Sequence, residues 1–213
     1  MKTELAKRLR LLASVVSVLV LLAIIGIAWI YLRVRASLPQ LDGRATIPGL
    51  TTNVTVDRDS LGVPTIRAQD RLDVARALGF LHAQDRFFQM DVWRRAAAGE
   101  LSAVFGLRTL RVDRQMRMHG FRKLAEESYA RLSPDDRAVL QAYADGVNAG
   151  LAALKEKPFE YIITGTKPQP WKPEDTFLVS DAMLVDLQDE TGRYERTVEV
   201  IRDQLGQAGL AFF

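Results

Sequence analysis

GFLHAQDRFFQMDVWRRAAAGEL, residues 79–101, sets bulky apolar groups (Phe80, Phe87, Phe88, Trp93) among His82, Gln84, Asp85, Arg86, Gln89 and Asp91. Asp70 is placed to cap a helix that begins at Arg71, Asp73 falls in its first turn, and Gly99 offers a left-handed exit after Ala98. At 100° per residue, Phe80 and Phe87 share one side, Leu81 and Phe88 a second, and Leu78, Val92 and Trp93 a third. Apolar groups on nearly every side predict a helix buried by several neighbours. His82, Asp85 and Gln89, spaced i, i+3 and i+7, form a polar stripe through it that should hydrogen-bond to itself or to another segment.

Working outward, NVTVDRDSLGVPTIRA (53–68) alternates about a turn and predicts a β-hairpin or two adjacent strands, with Pro64 at an edge or a strand start. Weak helical patterns run from Arg108 to Leu132. Ser133-Pro134-Asp135-Asp136 is a helix-start signal, and that helix should reach about Leu154. KPFEYIITGTKPQPWKPED (157–175), with four prolines, reads as a loop anchored by Trp171. Further helices are expected at about Pro173–Leu187 and Tyr194–Leu205. The fold class is therefore mainly α with a small N-terminal β element.

The chain's ends and charge narrow its setting. The basic excess is confined to MKTELAKRLR: Lys2, Lys7, Arg8 and Arg10 against Glu4 give +3, the formal net charge of the whole chain. Residues 11–213 are formally neutral, so despite a pI near 9.3 there is no basic domain to attract nucleic acid. Residues 11–32 carry no charge and span about 33 Å as a helix, enough for a bilayer core. Trp29 and Tyr31 suit the far interface, and the basic N-terminus favours a cytoplasmic start. This segment is an anchor or a signal, and its length favours an uncleaved anchor. Either way the body is expected outside a bacterial-type inner membrane, in the periplasm or beyond. The organisation is a basic N-terminus (1–10), the apolar segment (11–32), a linker (33–47) and a body (48–213).

The residues give no complete active site. His82 and His119 are the only histidines and there is no cysteine, so a zinc site lacks its usual ligands. Ser60, Ser102, Ser128, Ser133 and Ser180 all lack a G-x-S-x-G context, and there is no P-loop or G-x-G-x-x-G.

Four ordered motifs, D-x-x-G-V-P-x-I (59–66), A-L-G-F-x-H-A-Q-D-R (77–86), Q-M-D-x-x-R-R (89–95) and G-E-L-x-x-x-F-G (99–106), together with TGTKPQPWKPED (164–175), resemble the N-terminal part of the penicillin acylase family. The resemblance covers about Pro48 to Gly206. It implies an αββα N-terminal nucleophile hydrolase that cleaves N-acyl amides and is made as a precursor cut into α and β chains. The implied nucleophile is the first residue of the β chain, a Ser or sometimes Cys or Thr, with its own α-amino group as base. No catalytic residue is then expected in this chain, which would be an α-chain segment with the β chain as partner. The resemblance places an acyl pocket on the helix after the Pro-Trp loop, where Met183 and Leu187 share a face, and a calcium ligand shortly after, at Glu190 or Glu195. His82, Asp85 and Gln89 would be scaffold. Two alternatives stand beside this reading: an acylase of acyl-homoserine lactones or lipopeptides, and a non-enzymatic, membrane-tethered helical binding module.

Overall fold

The computed structural model describes residues 2–188 and 192–212. Helix α1 (Lys2–Ala36) is unbroken, and its stretch Arg10–Ala36, 27 residues with none buried against the body, is long and apolar enough to cross a membrane. Its end touches the body: Arg33 sits over the Trp29 ring at 5.2 Å and pairs with Glu156 at 3.0 Å.

Strands β1 (Thr55–Arg58) and β2 (Pro64–Arg67) form the expected antiparallel hairpin, with Val56 opposite Ile66 and Pro64 opening β2. Asp59 builds the turn by accepting from the Leu61 and Val63 amides, both at 2.9 Å. Helix α2 (Arg71–Ala98) starts and stops where the sequence places it. The Asp70 carboxylate accepts from the Leu72 amide at 2.8 Å, and Gly99 takes φ 66°.

A chain of short elements follows: α3 (Ser102–Phe105), a 3-10 turn, α4 (Leu110–Arg117) and α5 (Phe121–Arg131). The Asp113 carboxylate on α4 ties down this corner by accepting from the Leu101 and Ser102 amides at 2.8 and 2.7 Å. Helix α6 (Pro134–Ala153) opens on Ser133, whose hydroxyl accepts from the Asp136 amide. Then come α7 (Phe159–Ile163), α8 (Asp175–Leu187) and α9 (Arg193–Phe212), the last broken at Gly206. The stretch read as a continuous loop thus contains a helical turn, α7. Pro158 precedes it, where a missing amide costs nothing, and burial of Tyr161 holds it in place.

The body is organised by α2 lying directly on α6. Ala75, Gly79 and Ala83 on α2 face Ala142, Gly146 and Gly150 on α6, each set at i, i+4 spacing, so the two backbones meet without intervening side chains. A methyl group on Gly146 would overlap the Arg76 carbonyl, and one on Gly150 would overlap that of Phe80. Beside this seam Ala83, Phe87, Ala144, Val147, Tyr161 and Trp171 make one core. A second, around Ala97, Ala98, Ala125, Leu178 and Ala182, joins α2, α5 and α8.

Two readings of α2 need correction. The helix is not uniform: Arg86 has φ −146° and ψ 19°, a kink that shifts the phase of everything after it. The polar groups buried in α2 are Asp73, Gln84, Asp91, Arg94 and Arg95, while His82 and Gln89 are exposed and Asp85 is partly so.

Asp73 does more than meet the helix dipole. Fully buried, it accepts from both the amide and the hydroxyl of Thr51 and of Thr52, at 2.8–3.1 Å. The Thr51 amide is the main reason its pKa falls to about 2, with the remaining donors helping and burial opposing. A carboxylate lowered in the folded state contributes stability that is complete above its ordinary value and lost as pH falls through the folded one. Acid unfolding measured on the protein should therefore show a component between about pH 4 and pH 2 that Asp73→Asn removes. An unchanged acid profile in that variant would count against the clamp.

Candidate functional site

Asp91 and Arg94, three residues apart on α2, are both buried, and a buried ion pair is tolerable only when its remaining donors and acceptors are met. Here they are. The Arg94 guanidinium donates from Nε to Asp91 Oδ1 at 2.8 Å, from Nη1 to Asp175 at 2.5 Å and to the Pro170 carbonyl at 2.8 Å, and from Nη2 to the Gln169 carbonyl at 2.8 Å. Its plane lies 5.0 Å from the Trp171 ring and 5.9 Å from that of Phe87. The second oxygen of Asp91 accepts from the Tyr161 hydroxyl at 2.6 Å, and burial together with this bond pushes the tyrosine pKa far up. Asp175, at the start of α8, also accepts from Arg122 on α5 at 2.6 Å and from the Lys172 amide at 2.9 Å. Asn148 on α6 brackets Trp171, accepting from its amide and donating to its carbonyl. Four elements thus converge on the Pro-Trp loop and fix where α8 begins.

What α8 presents follows from that. Leu178 and Ala182 are buried toward α2 and α5, while Met183, Leu184 and Leu187 are at least half exposed. Met183 and Leu187 sit in one helix at i, i+4 spacing, as expected, and both face outward. Asp181 went unnoticed in the sequence. One of its carboxylate oxygens is buried without a hydrogen-bond partner among the described residues, and burial raises its pKa. Glu190 lies outside the described residues. Glu195, in the first turn of α9, is exposed, and among the described residues no group of three or more His, Cys, Asp or Glu is placed to hold a metal ion.

Two residues of the polar stripe bond to neighbouring elements. Asp85 accepts both carboxylate bonds from Arg58 Nη2, at 2.9 and 3.1 Å, which fastens the hairpin. His82 Nδ1 lies 3.0 Å from the Tyr143 hydroxyl on α6. Burial raises that hydroxyl to about 12, so it stays protonated and can donate to the ring. The Gln89 side chain is exposed. Among the described residues no serine or threonine hydroxyl is hydrogen-bonded to a histidine, so the site positions groups but holds no nucleophile–base pair of that kind.

Residues 53–213 match the family model described as penicillin amidase. The chain belongs to the penicillin amidase family. It is 42% identical over 139 residues to the penicillin acylase 2 proenzyme of Pseudomonas sp. (strain SE83), covering 65% of this chain and 18% of that protein. It is 37% identical over 183 residues to the acyl-homoserine lactone acylase QuiP of Pseudomonas aeruginosa, covering 84% of this chain and 22% of that protein. Among solved structures, the thermostable penicillin G acylase from Alcaligenes faecalis superposes with a TM-score of 0.58 at 28% identity, covering 75% of this chain and 88% of that one. The chain spans about a fifth of the length of the curated relatives it matches. In this penicillin amidase family member the region matched by the family model begins just before β1. Asp91, Arg94, Trp171 and Asp175, all within the quoted motifs, join Tyr161, Arg122 and Asn148 in one buried polar node.

Proposed function

We propose that this chain is the N-terminal, α-chain portion of an acylase that hydrolyses N-acyl amide bonds, with the nucleophile on a β chain of the same precursor. The observation that carries this is α8: clamped at Asp175 and turned outward at Met183 and Leu187, in a chain that spans about a fifth of its relatives' length. In this reading Met183 and Leu187 form one wall of the acyl site. The β-chain nucleophile attacks the carbonyl, the amine leaves with a proton, and water releases the acid from the acyl-enzyme. Calcium takes six to eight oxygens. This chain would offer Glu190 or Glu195, so most ligands of a calcium site would come from the other chain. Helix α1 would serve as anchor or signal, with its N-terminus in the cytoplasm and the body outside.

For the acyl group, a specific observation supports the second reading. The acyl-homoserine lactone acylase of Pseudomonas aeruginosa matches 84% of this chain, and an outward Met-Leu-Leu face suits a flexible apolar chain. The test compares amine release from a phenylacetyl amide and from N-decanoyl homoserine lactone, using the processed full-length gene product and residues 1–213 alone. Turnover by the former and none by the latter is expected. Turnover by the 213 residues alone would refute the assignment, and an inactive full-length product would favour the binding module.

A further inference from the structure

Arg95 follows Arg94 on α2 and is almost as deeply buried, at 8% exposure, yet its circumstances are opposite. Arg94 spends its donors on two carboxylates and two carbonyls. The Arg95 side chain makes no hydrogen bond among the described residues. Its buried Nε pairs with Asp91 Oδ1 at 3.0 Å as an ion contact, but without the geometry of a hydrogen bond. A guanidinium has five N–H donors; in Arg95 the Nε donor is the one buried without a hydrogen bond, and such donors are expensive. Such an arginine calls for an acceptor that has yet to arrive.

The space for one is present. Arg95 lines an open cleft of about 350 Å³ between α2, α5 and the Pro-Trp loop. Four cationic side chains (Arg94, Arg95, Arg122, Lys172) and two carboxylates (Glu100, Asp175) line it. Both carboxylates are already engaged: Arg122 bonds to each of them, and Arg94 also bonds to Asp175. The lining carries more cations than carboxylates, Asp91 and Glu174 lie beside Arg95 and Lys172 as ion-pair partners, and neither of those two cations makes a side-chain hydrogen bond among the described residues.

We propose that this cleft is a binding site for an oxyanion, a carboxylate or phosphate, seated on the Arg95 guanidinium with Arg122 and Lys172 beside it. A planar fork facing a planar carboxylate permits two parallel bonds, which an ammonium cannot supply. The oxyanion comes either from an Asp or Glu of polypeptide outside this chain or from a free small anion. The proposal does not depend on the amide-hydrolase reading and can be tested with no activity measurement.

Thermal unfolding of the full-length protein is measured in chloride and in inorganic phosphate at equal ionic strength, for the unsubstituted protein, Arg95→Lys and Arg95→Met, alongside a structure of the full-length protein. If a free anion fills the cleft, phosphate raises the midpoint saturably, and Arg95→Lys raises the half-saturating concentration about tenfold or more. If polypeptide fills it, phosphate has no such effect, both variants lower the midpoint, and the structure shows an Asp or Glu oxygen within hydrogen-bond distance of Arg95. The proposal is overturned if Arg95→Lys matches the unsubstituted protein in both midpoint and phosphate response, whether or not Arg95→Met folds. It is equally overturned if the full-length structure shows Arg95 bonded only to water or to neutral carbonyls with no phosphate response.

Discussion

Replacing Gly146 with leucine is expected to abolish the cooperative unfolding transition of the body. At Gly146 α6 rests on the backbone of α2, and a Cβ there overlaps the Arg76 carbonyl. Overpacking an ordinary core costs about 1–3 kcal/mol because side chains can shift. Here the obstacle is main chain within a helix, flanked by equally close contacts at Gly79 and Gly150. The two helices must separate along their whole seam. The expected loss is on the order of 5 kcal/mol, comparable to the entire stability of many domains. Gly26→Ala is the control, since a methyl there meets nothing within 4 Å. Circular dichroism during urea titration of the full-length protein reads both. A Gly146→Leu midpoint equal to that of the unsubstituted protein would show that α2 and α6 are not in backbone contact.

Arg94→Met should be the next most damaging change, at about 3–5 kcal/mol, the range for stripping one partner from a buried ion pair. Methionine approximates the stem but takes one donor each from Asp91 and Asp175, and the side-chain donor from the carbonyls of Gln169 and Pro170. The loop should loosen around Trp171, so tryptophan emission should shift to the red as the midpoint falls. Arg94→Lys should recover little, because one ammonium cannot reach four acceptors arranged around a plane. The exposed pair Arg67–Asp57 provides the contrast: Arg67→Met should change stability by less than about 1 kcal/mol. Similar costs at Arg67 and Arg94 would mean that the buried node is not a clamp.

Local chemistry was legible in the sequence because it is encoded locally. Asp70 and Gly99 bracket α2, Ser133-Pro134 starts α6, and the Asp59 turn with Pro64 sets the hairpin, each through neighbours a few residues away. The motifs likewise carried the family, and the family match bears that out. The buried polar set was legible only in part: past Arg86 the constant phase of a helical wheel fails, and before it the burial of Gln84 and exposure of His82 depend on which side of α2 meets α6. Nor was the node: Asp91 meets Tyr161 and Arg94 meets Asp175 across 70 and 81 residues, a pairing no spacing rule reveals. The small residues at i, i+4 on α2 and α6 were visible as letters, but their meaning depends on the two helices facing each other. For Met183 and Leu187 the spacing was legible, while what covers them is not encoded in these residues.

The Asp175 clamp gives α8 the mechanics of a cantilever. Its root is gripped by Arg94, Arg122 and the Lys172 amide, and one turn along Leu178 is fully buried. Toward the tip the side chains have progressively less to lean on, and Leu187 is 74% exposed. Compliance in such a beam grows with distance from the support, so backbone amide exchange is expected to quicken from Leu178 through Met183 to Leu187.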